Sequence, residues 1–458
     1  MKMFQNGIST VKRFLRRDYI SLLFCSILSL SIFYLGLSIS PFHSPDSVLY
    51  ISTVIAIPKQ GLIWYFSNWT VSTPLFPLLI ASLDYVSGWD PVFSAHTITV
   101  LSFALLIFPT FYLGKEIGNE YVGYCSCIFL ATSRITWNLS TMIWTEMPFI
   151  LFSVISILYL VKYIKYKQIS FLIIGGVFVA LTSLERYVGI FLVISSVLTV
   201  FIFEIYLNKQ KVWKFLIFLL ISSTPIFLLI IRNFIYGQTY YYSWRSRSEP
   251  LINLFTETVY FKIKGIFPSL VMADYSAYLF LFIIFLLIIL PFFLINYSNI
   301  SKKEIRNFIL ITSPLWAYIV VFILFFETFY FAWKGFGEHE RLQIVIIPLI
   351  LIFLFSVFAF NFNVILTKKT HKNLYLVLLI VIFSISFLAQ MSSLPQTYQN
   401  LNDGLGDFIC IYDVHNFGEA CSTEDLKRMS INPLYVALSN VWNKSTSLYF
   451  VNRGILPG

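Results

Sequence analysis

The sequence predicts an all-α polytopic membrane protein with about eleven transmembrane helices, and three observations carry that prediction. The 458 residues are 58% hydrophobic and 12% charged, with 48 Phe, far more apolar than the mixture of a soluble domain. Apolar runs of roughly 20 residues, the length that crosses about 30 Å of hydrocarbon as a helix, recur along the chain. Lys and Arg gather in twos and threes at the ends of those runs, where they report topology. The formal charge of +10 is therefore spread, and forms no basic stripe of the kind that binds nucleic acid.

In chain order the apolar runs cover residues 19–40, 92–113, 121–137, 146–161, 169–184, 188–207, 214–232, 276–296, 308–327, 342–361 and 374–390. The first follows a basic segment but is long enough to span and has no small-residue cleavage pattern, so it is expected as a retained helix. With the N-terminus in the cytoplasm, Lys115, Lys162, Lys165, Lys167, Lys209, Lys211, Lys302, Lys303, Lys368 and Lys369 fall in short cytoplasmic links, as the positive-inside tendency requires. The larger connections, 41–91, 233–275 and 328–341, then face the other side, together with the chain after residue 390. This divides the chain into a membrane domain at 1–390, whose first outer loop spans 41–91, and an extracytoplasmic tail at 391–458.

The first outer loop opens on Pro-Phe-His-Ser-Pro-Asp-Ser-Val-Leu-Tyr at 41–50, centred on Asp46. Trp64, Tyr65, Phe66 and Trp69 suit a membrane interface, and Pro74 and Pro77 stop any long straight helix. Short interfacial helices satisfy both. Asp46 is thus either a helix cap or a general base aimed at a hydroxyl. Glu146, in Thr-Met-Ile-Trp-Thr-Glu-Met-Pro-Phe at 141–149, either meets a helix dipole or joins Asp46 in one outer cavity, since the lysine pattern puts both on the same face.

Cations are scarcer on that face. Glu185 and Arg186 stand side by side in Leu-Thr-Ser-Leu-Glu-Arg-Tyr-Val-Gly at 181–189, where they are expected to pair with each other. Arg232 and Asn233 end the seventh run, and Gly-Phe-Gly-Glu-His-Glu-Arg at 335–341 precedes the tenth. An arginine here either holds a phosphate oxygen pair or snorkels into a structural bridge. His339, Glu340 and Arg341 are accordingly candidates for substrate binding, beside Arg186 and Arg232. No metal is expected, because His339 and Glu340 lack the spacing of a zinc helix. No phosphate loop, dinucleotide fingerprint or serine elbow occurs, so no bound cofactor is expected and a cytosolic nucleotide is disfavoured. Cys125 and Cys127 read as small buried residues, and Cys410 with Cys421 as a candidate disulfide in the outer tail.

Taken in order, these motifs resemble the GT-C superfamily of membrane glycosyltransferases. Within it, the likeness is to the broad group containing the protein O-mannosyltransferase-like, aminoarabinose-transferase-like and rhizobial lipopolysaccharide glycosyltransferase-like proteins. Pro-Asp-Ser-Val-Leu-Tyr at 45–50, Pro-Leu-Phe-Pro-Leu-Leu at 74–79, Thr-Glu-Met-Pro-Phe at 145–149, the 181–189 segment, Arg-Asn-Phe-Ile-Tyr-Gly at 232–237 and Glu-Arg at 340–341 carry the resemblance. It implies a GT-C helical bundle, a polyprenyl-phosphate-linked sugar donor and transfer to a hydroxyl acceptor on the extracytoplasmic face. It gives the catalytic role to Asp46, a supporting role to Glu146, and the lipid phosphate to Arg341. The second acidic pattern of the oligosaccharide transferases is not evident, which weakens that subclass and its metal requirement. The acceptor stays open among glycans, lipids and proteins. The rival reading is a transporter or flippase for a lipid-linked or amphiphilic substrate, which explains the helices but not the gathering of charged residues on one face. A third, a membrane assembly or polysaccharide-polymerising protein, shares the same topology.

Overall fold

A computed structural model of the chain describes residues 2–39, 41, 45–68, 73–207, 212–235, 302–325 and 346–362, with isolated positions at 373, 376, 377 and 384. All described elements are helical. They are α1 (Lys2–Ser38), α2 (Pro45–Asn68), α3 (Leu75–Ser87), α4 (Pro91–Ile117), α5 (Glu120–Thr132), α6 (Arg134–Thr141), α7 (Glu146–Tyr166) and α8 (Ile169–Glu185). After a single 3-10 turn, Tyr187–Gly189, come α9 (Ile190–Phe201), a π-helical turn at Ile202–Leu207, α10 (Val212–Ile235), α11 (Lys302–Phe325) and α12 (Ile347–Phe360).

The chain is a multi-pass membrane protein, but among the described residues six helical stretches are long and apolar enough to span, fewer than the eleven expected. They are Tyr19–Ser38, Pro91–Ile117, Glu146–Tyr166, Tyr187–Ile205, Val212–Ile235 and Lys303–Ile323. The run at 121–137 is not one helix. Ser133 takes an extended conformation, φ −69° and ψ 114°, and parts α5 from α6, while the Trp137 indole donates back to the Ala131 carbonyl at 2.7 Å. The runs at 169–184 and 342–361 become helices of 17 and 14 residues. The expected spans at 276–296 and 374–390 lie outside the described residues, save the isolated positions named above, as do the 391–458 tail, Cys410 and Cys421. Cys125 is a further correction. It is exposed, and of the two cysteines in that run only Cys127 is buried.

Packing centres on α4 and α7, whose buried faces include Phe103, Ile107, Phe111, Phe149, Val154, Ile157 and Tyr163. Several hydroxyls inside this bundle are satisfied within their own helix. Ser153 donates to the Phe149 carbonyl, Thr182 to Phe178, Thr199 to Ser195 and Ser222 to Phe218, at 2.7–2.8 Å. No water is needed to pair them, which is what a helix in hydrocarbon requires. The outward faces carry large exposed apolar side chains, Leu23, Leu30 and Tyr34 on α1 and Leu220, Phe227 and Phe234 on α10. Exposed apolar rows on membrane-length helices are the surface that lipid covers.

A second, smaller core holds the first loop against the bundle. Tyr50, Ile51 and Val54 of α2, Phe76 and Ile80 of α3, Val92 and Ala95 of α4, and Ile143 pack together, with the Tyr50 and Phe76 rings edge to face at 5.2 Å. Each such side chain is worth on the order of 1.5–3 kcal/mol against leaving it in water. Within α2 the helix is broken at Gly61, φ +86° and ψ 162°, and the chain is interrupted again before α3. Pro74 precedes α3 and Pro77 lies in its first turn, where a missing N–H leaves no bond unmade.

Candidate active site

Asp46 is in the first turn of α2 and is half-buried. Its neighbour Ser47 donates a buried hydrogen bond to the Ile143 carbonyl at 3.1 Å. That bond joins the start of α2 to the link before α7. Glu146 is the first residue of α7, behind Thr145, so it meets the positive end of the helix as expected. It does more than that.

Glu146 is fully buried, and its carboxylate forms an ion pair with the Arg186 guanidinium, whose side chain is 16% exposed. The same Arg186 nitrogen, Nη1, donates to Thr145 Oγ1 at 3.0 Å. The expected pairing of Glu185 with Arg186 is therefore wrong. Glu185 closes α8, whereas Arg186 has φ −152° and ψ 143°. An extended residue straight after a helix sends its side chain away from the helix's last one. Arg186 thus reaches across to α7, and Glu185 is left inside. The turn that follows is tight, since a Cβ on Gly189 would stand 2.6 Å from Ser183 Cα and 2.7 Å from the Thr182 carbonyl oxygen.

Glu185 has no exposed surface, and neither of its carboxylate oxygens has a hydrogen-bond partner among the described residues. It lies outside the membrane-length helices. Burial raises its carboxyl well above the ordinary carboxylate range, Arg186 pulls it back, and Glu146 raises it further. Its backbone is fixed from the first loop, because the Thr73 hydroxyl donates to the Glu185 carbonyl. Tyr65 of α2 donates to the Pro74 carbonyl at 3.0 Å. Burial drives the Tyr65 hydroxyl upward in pKa, while Arg232 lowers it and Glu185, Tyr187 and Tyr50 raise it. Those charges place Tyr65 between the α8 end and the α10 end.

Arg232 is held from behind. Its Nε and Nη2 donate to Asn233 Oδ1 at 3.1 and 2.8 Å, and Asn233 Nδ2 donates to the Tyr187 hydroxyl at 3.2 Å. The remaining nitrogen, Nη1, is buried with no hydrogen-bond partner among the described residues. Among those residues no three His, Cys, Asp or Glu side chains gather as a metal site. His339, Glu340 and Arg341 lie outside the described residues. Thr73, Thr145, Tyr65 and Tyr187 were not singled out as site residues from sequence: Thr145 and Tyr187 stand next to the candidates Glu146 and Arg186, Thr73 just before the 74–79 motif, and Tyr65 among the interface aromatics.

Residues 71–230 match the model of the dolichyl-phosphate-mannose-protein mannosyltransferase family. That stretch holds Glu146, Glu185 and Arg186 and stops short of Asp46 and Arg232. Over 95% of this chain and 73% of the other, the fold superposes on apo ArnT from Cupriavidus metallidurans with a TM-score of 0.50 at 11% identity. The fold is that of the GT-C membrane glycosyltransferases. The mannosyltransferase family match covers residues 71–230, well under half of the 458-residue chain. A second structure of the same ArnT, bound to undecaprenyl phosphate, matches with equal coverage and TM-score at 12% identity. An oligosaccharyltransferase from Archaeoglobus fulgidus, in complex with Zn and sulfate, gives a TM-score of 0.46 at 12% identity, over 90% of this chain and 55% of that one. No curated protein sequence matches the chain.

Proposed function

We propose that the protein transfers a sugar from a polyprenyl-phosphate-linked donor to a hydroxyl acceptor, on the extracytoplasmic face, with the N-terminus in the cytoplasm. The observation that carries this reading is the buried Glu146–Arg186 pair, joined through the Ile143 link to the half-buried Asp46. The ion pair and the start of α2 are thus both tied to the N-terminal end of α7. Of the five N–H donors of the guanidinium, those on Nη1 meet Glu146 and Thr145, and the others can take a phosphate oxygen. The undecaprenyl phosphate in the related ArnT structure supports a lipid phosphate as the anion.

In the proposed reaction Asp46 accepts the proton of the acceptor hydroxyl as its oxygen attacks the anomeric carbon. The bond from that carbon to the phosphate oxygen breaks, and its electron pair stays with the phosphate. Arg186 stabilises the growing charge there, and Glu146 keeps Arg186 in place. Arg232, whose buried Nη1 has no hydrogen-bond partner among the described residues, serves the substrate from the α10 side. His339, Glu340 and Arg341 are proposed as further substrate contacts from their place in the sequence. Direct displacement inverts the anomeric configuration. A retaining route needs a positioned nucleophile, for which no pair of carboxylates stands out.

The test is Asp46→Asn in membranes with an extractable lipid-linked sugar pool. Transfer per folded molecule is expected to fall by about 10²–10⁴-fold, the usual share of a general base, with abundance and insertion kept. Equal transfer by correctly inserted protein removes Asp46 from the catalytic role. Translocation of substrate with no glycosidic bond formed identifies a transporter instead.

A further inference from the structure

Glu185 is a fully buried side chain with no hydrogen-bond partner at either carboxylate oxygen among the described residues, and the proposed reaction does not use it. An ionised carboxylate left in that condition is costly, and nothing in its backbone lets it move away. Thr73 holds its carbonyl, and Gly189 packs on the last turn of α8 with no room for even a Cβ. Among the described residues, the charged and titratable groups that act on it or lie beside it are few. They are Arg186 and Glu146 at the α7 end, Tyr65 on α2, and Tyr187, Tyr50 and Arg232, which act on the same Tyr65 hydroxyl.

We propose that Glu185 is a positioning residue that holds a proton, and that this proton decides whether Arg186 is available to a lipid-linked phosphate. The inference rests on the donor-phosphate reading of Arg186 given above. With the proton on Glu185, the charges of Glu146 and Arg186 cancel. Arg186 stays with Glu146 and Thr145 and offers its other donors to an anion. When the proton leaves, the cluster carries one net negative charge out of water. The adjacent guanidinium is then the cation within reach, and it is drawn to Glu185 while the same charge repels a phosphate. No new atom enters or leaves the site in this exchange, only one proton passing between Glu185 and solvent.

The experiment uses full-length protein in lipid nanodiscs and measures affinity for a polyprenyl phosphodiester. That probe carries one negative charge throughout the working pH range and so does not titrate itself. Affinity of the parent is expected to weaken as pH rises, approaching tenfold per pH unit once Glu185 ionises. Glu185→Gln, which copies the protonated shape and charge, is expected to keep the parent's acid-side affinity and lose that dependence. The same pH profile in both proteins overturns the inference and leaves the donor reading intact. Failure of the parent to bind the phosphodiester, with a neutral polyprenol as control, overturns the donor reading and this inference with it, whereas failure of Glu185→Gln alone, correctly folded, overturns only the inference. If Glu185→Gln does not fold, infrared spectra of the parent decide. A protonated-carboxyl band that is lost over the same rise in pH that weakens phosphodiester affinity supports the inference, and the lack of any such band overturns it.

Discussion

The two ends of α7 hold similar residues to different purposes. At its last turn, Lys165 pairs with Glu116 at 2.8 Å and Tyr166 donates to the same carboxylate at 2.9 Å. Tyr163 donates to the buried Glu204 at 2.6 Å, and Lys115 meets Glu120 at 3.4 Å. Roughly 30 Å away, at 1.5 Å per residue, the first turn brings Glu146, Arg186, Glu185 and Arg232 into one region, with polar atoms left over. One end matches each of these acids to a donor close by. The other keeps the Glu185 carboxyl and an Arg232 guanidinium nitrogen without a hydrogen-bond partner among the described residues, an arrangement that costs stability.

Substitutions sharpen that contrast. The largest effect is expected from Arg186→Lys, which keeps the charge beside Glu146 and loses the planar fork. Transfer per folded molecule should fall about 100-fold, as when one preorganised donor is lost, with thermal stability nearly unchanged. A fall in stability with transfer intact would make this end an anchor like the other. Next is Tyr163→Phe. It leaves the buried Glu204 without its hydroxyl partner and should cost about 1–3 kcal/mol in thermal unfolding, while each surviving molecule transfers sugar as before. Lost transfer at full stability would break the division of labour between the ends. The smallest is Lys165→Ala. That ion pair is partly exposed and is worth at most about 1 kcal/mol, so the shift in unfolding should be slight and should shrink further with added salt.

Much of this was legible in the sequence because hydrophobic runs and lysine clusters are local signals. The all-α membrane class, several spans and the shared end of Glu146, Arg186 and Arg232 need only run length and charge position. What failed depends on backbone direction at single residues. The 121–137 run has the composition of a span, and nothing in its apolar pattern betrays the extended Ser133. Glu185 and Arg186 looked like partners because they are neighbours, yet the change from helical to extended backbone between them sends one to the interior and the other to α7. Tyr65 sits among four interface aromatics, and only the folded chain shows which of them turns inward. The residues from 236 to 301 and from 326 to 345 lie outside the described structure, so the expectations for His339, Glu340 and Arg341 stand as sequence readings.

The fit of Gly189 against Thr182 and Ser183 reaches beyond the turn itself. A single added methyl group there meets backbone atoms and cannot be absorbed by swinging a side chain aside. The last turn of α8 must shift, and with it the point from which Arg186 sets out toward α7. A position bearing no charge, no hydroxyl and no side chain at all is in this way a calibration stop for the reach of a guanidinium, and the spacing of the two acids around it is inherited from an absence of volume.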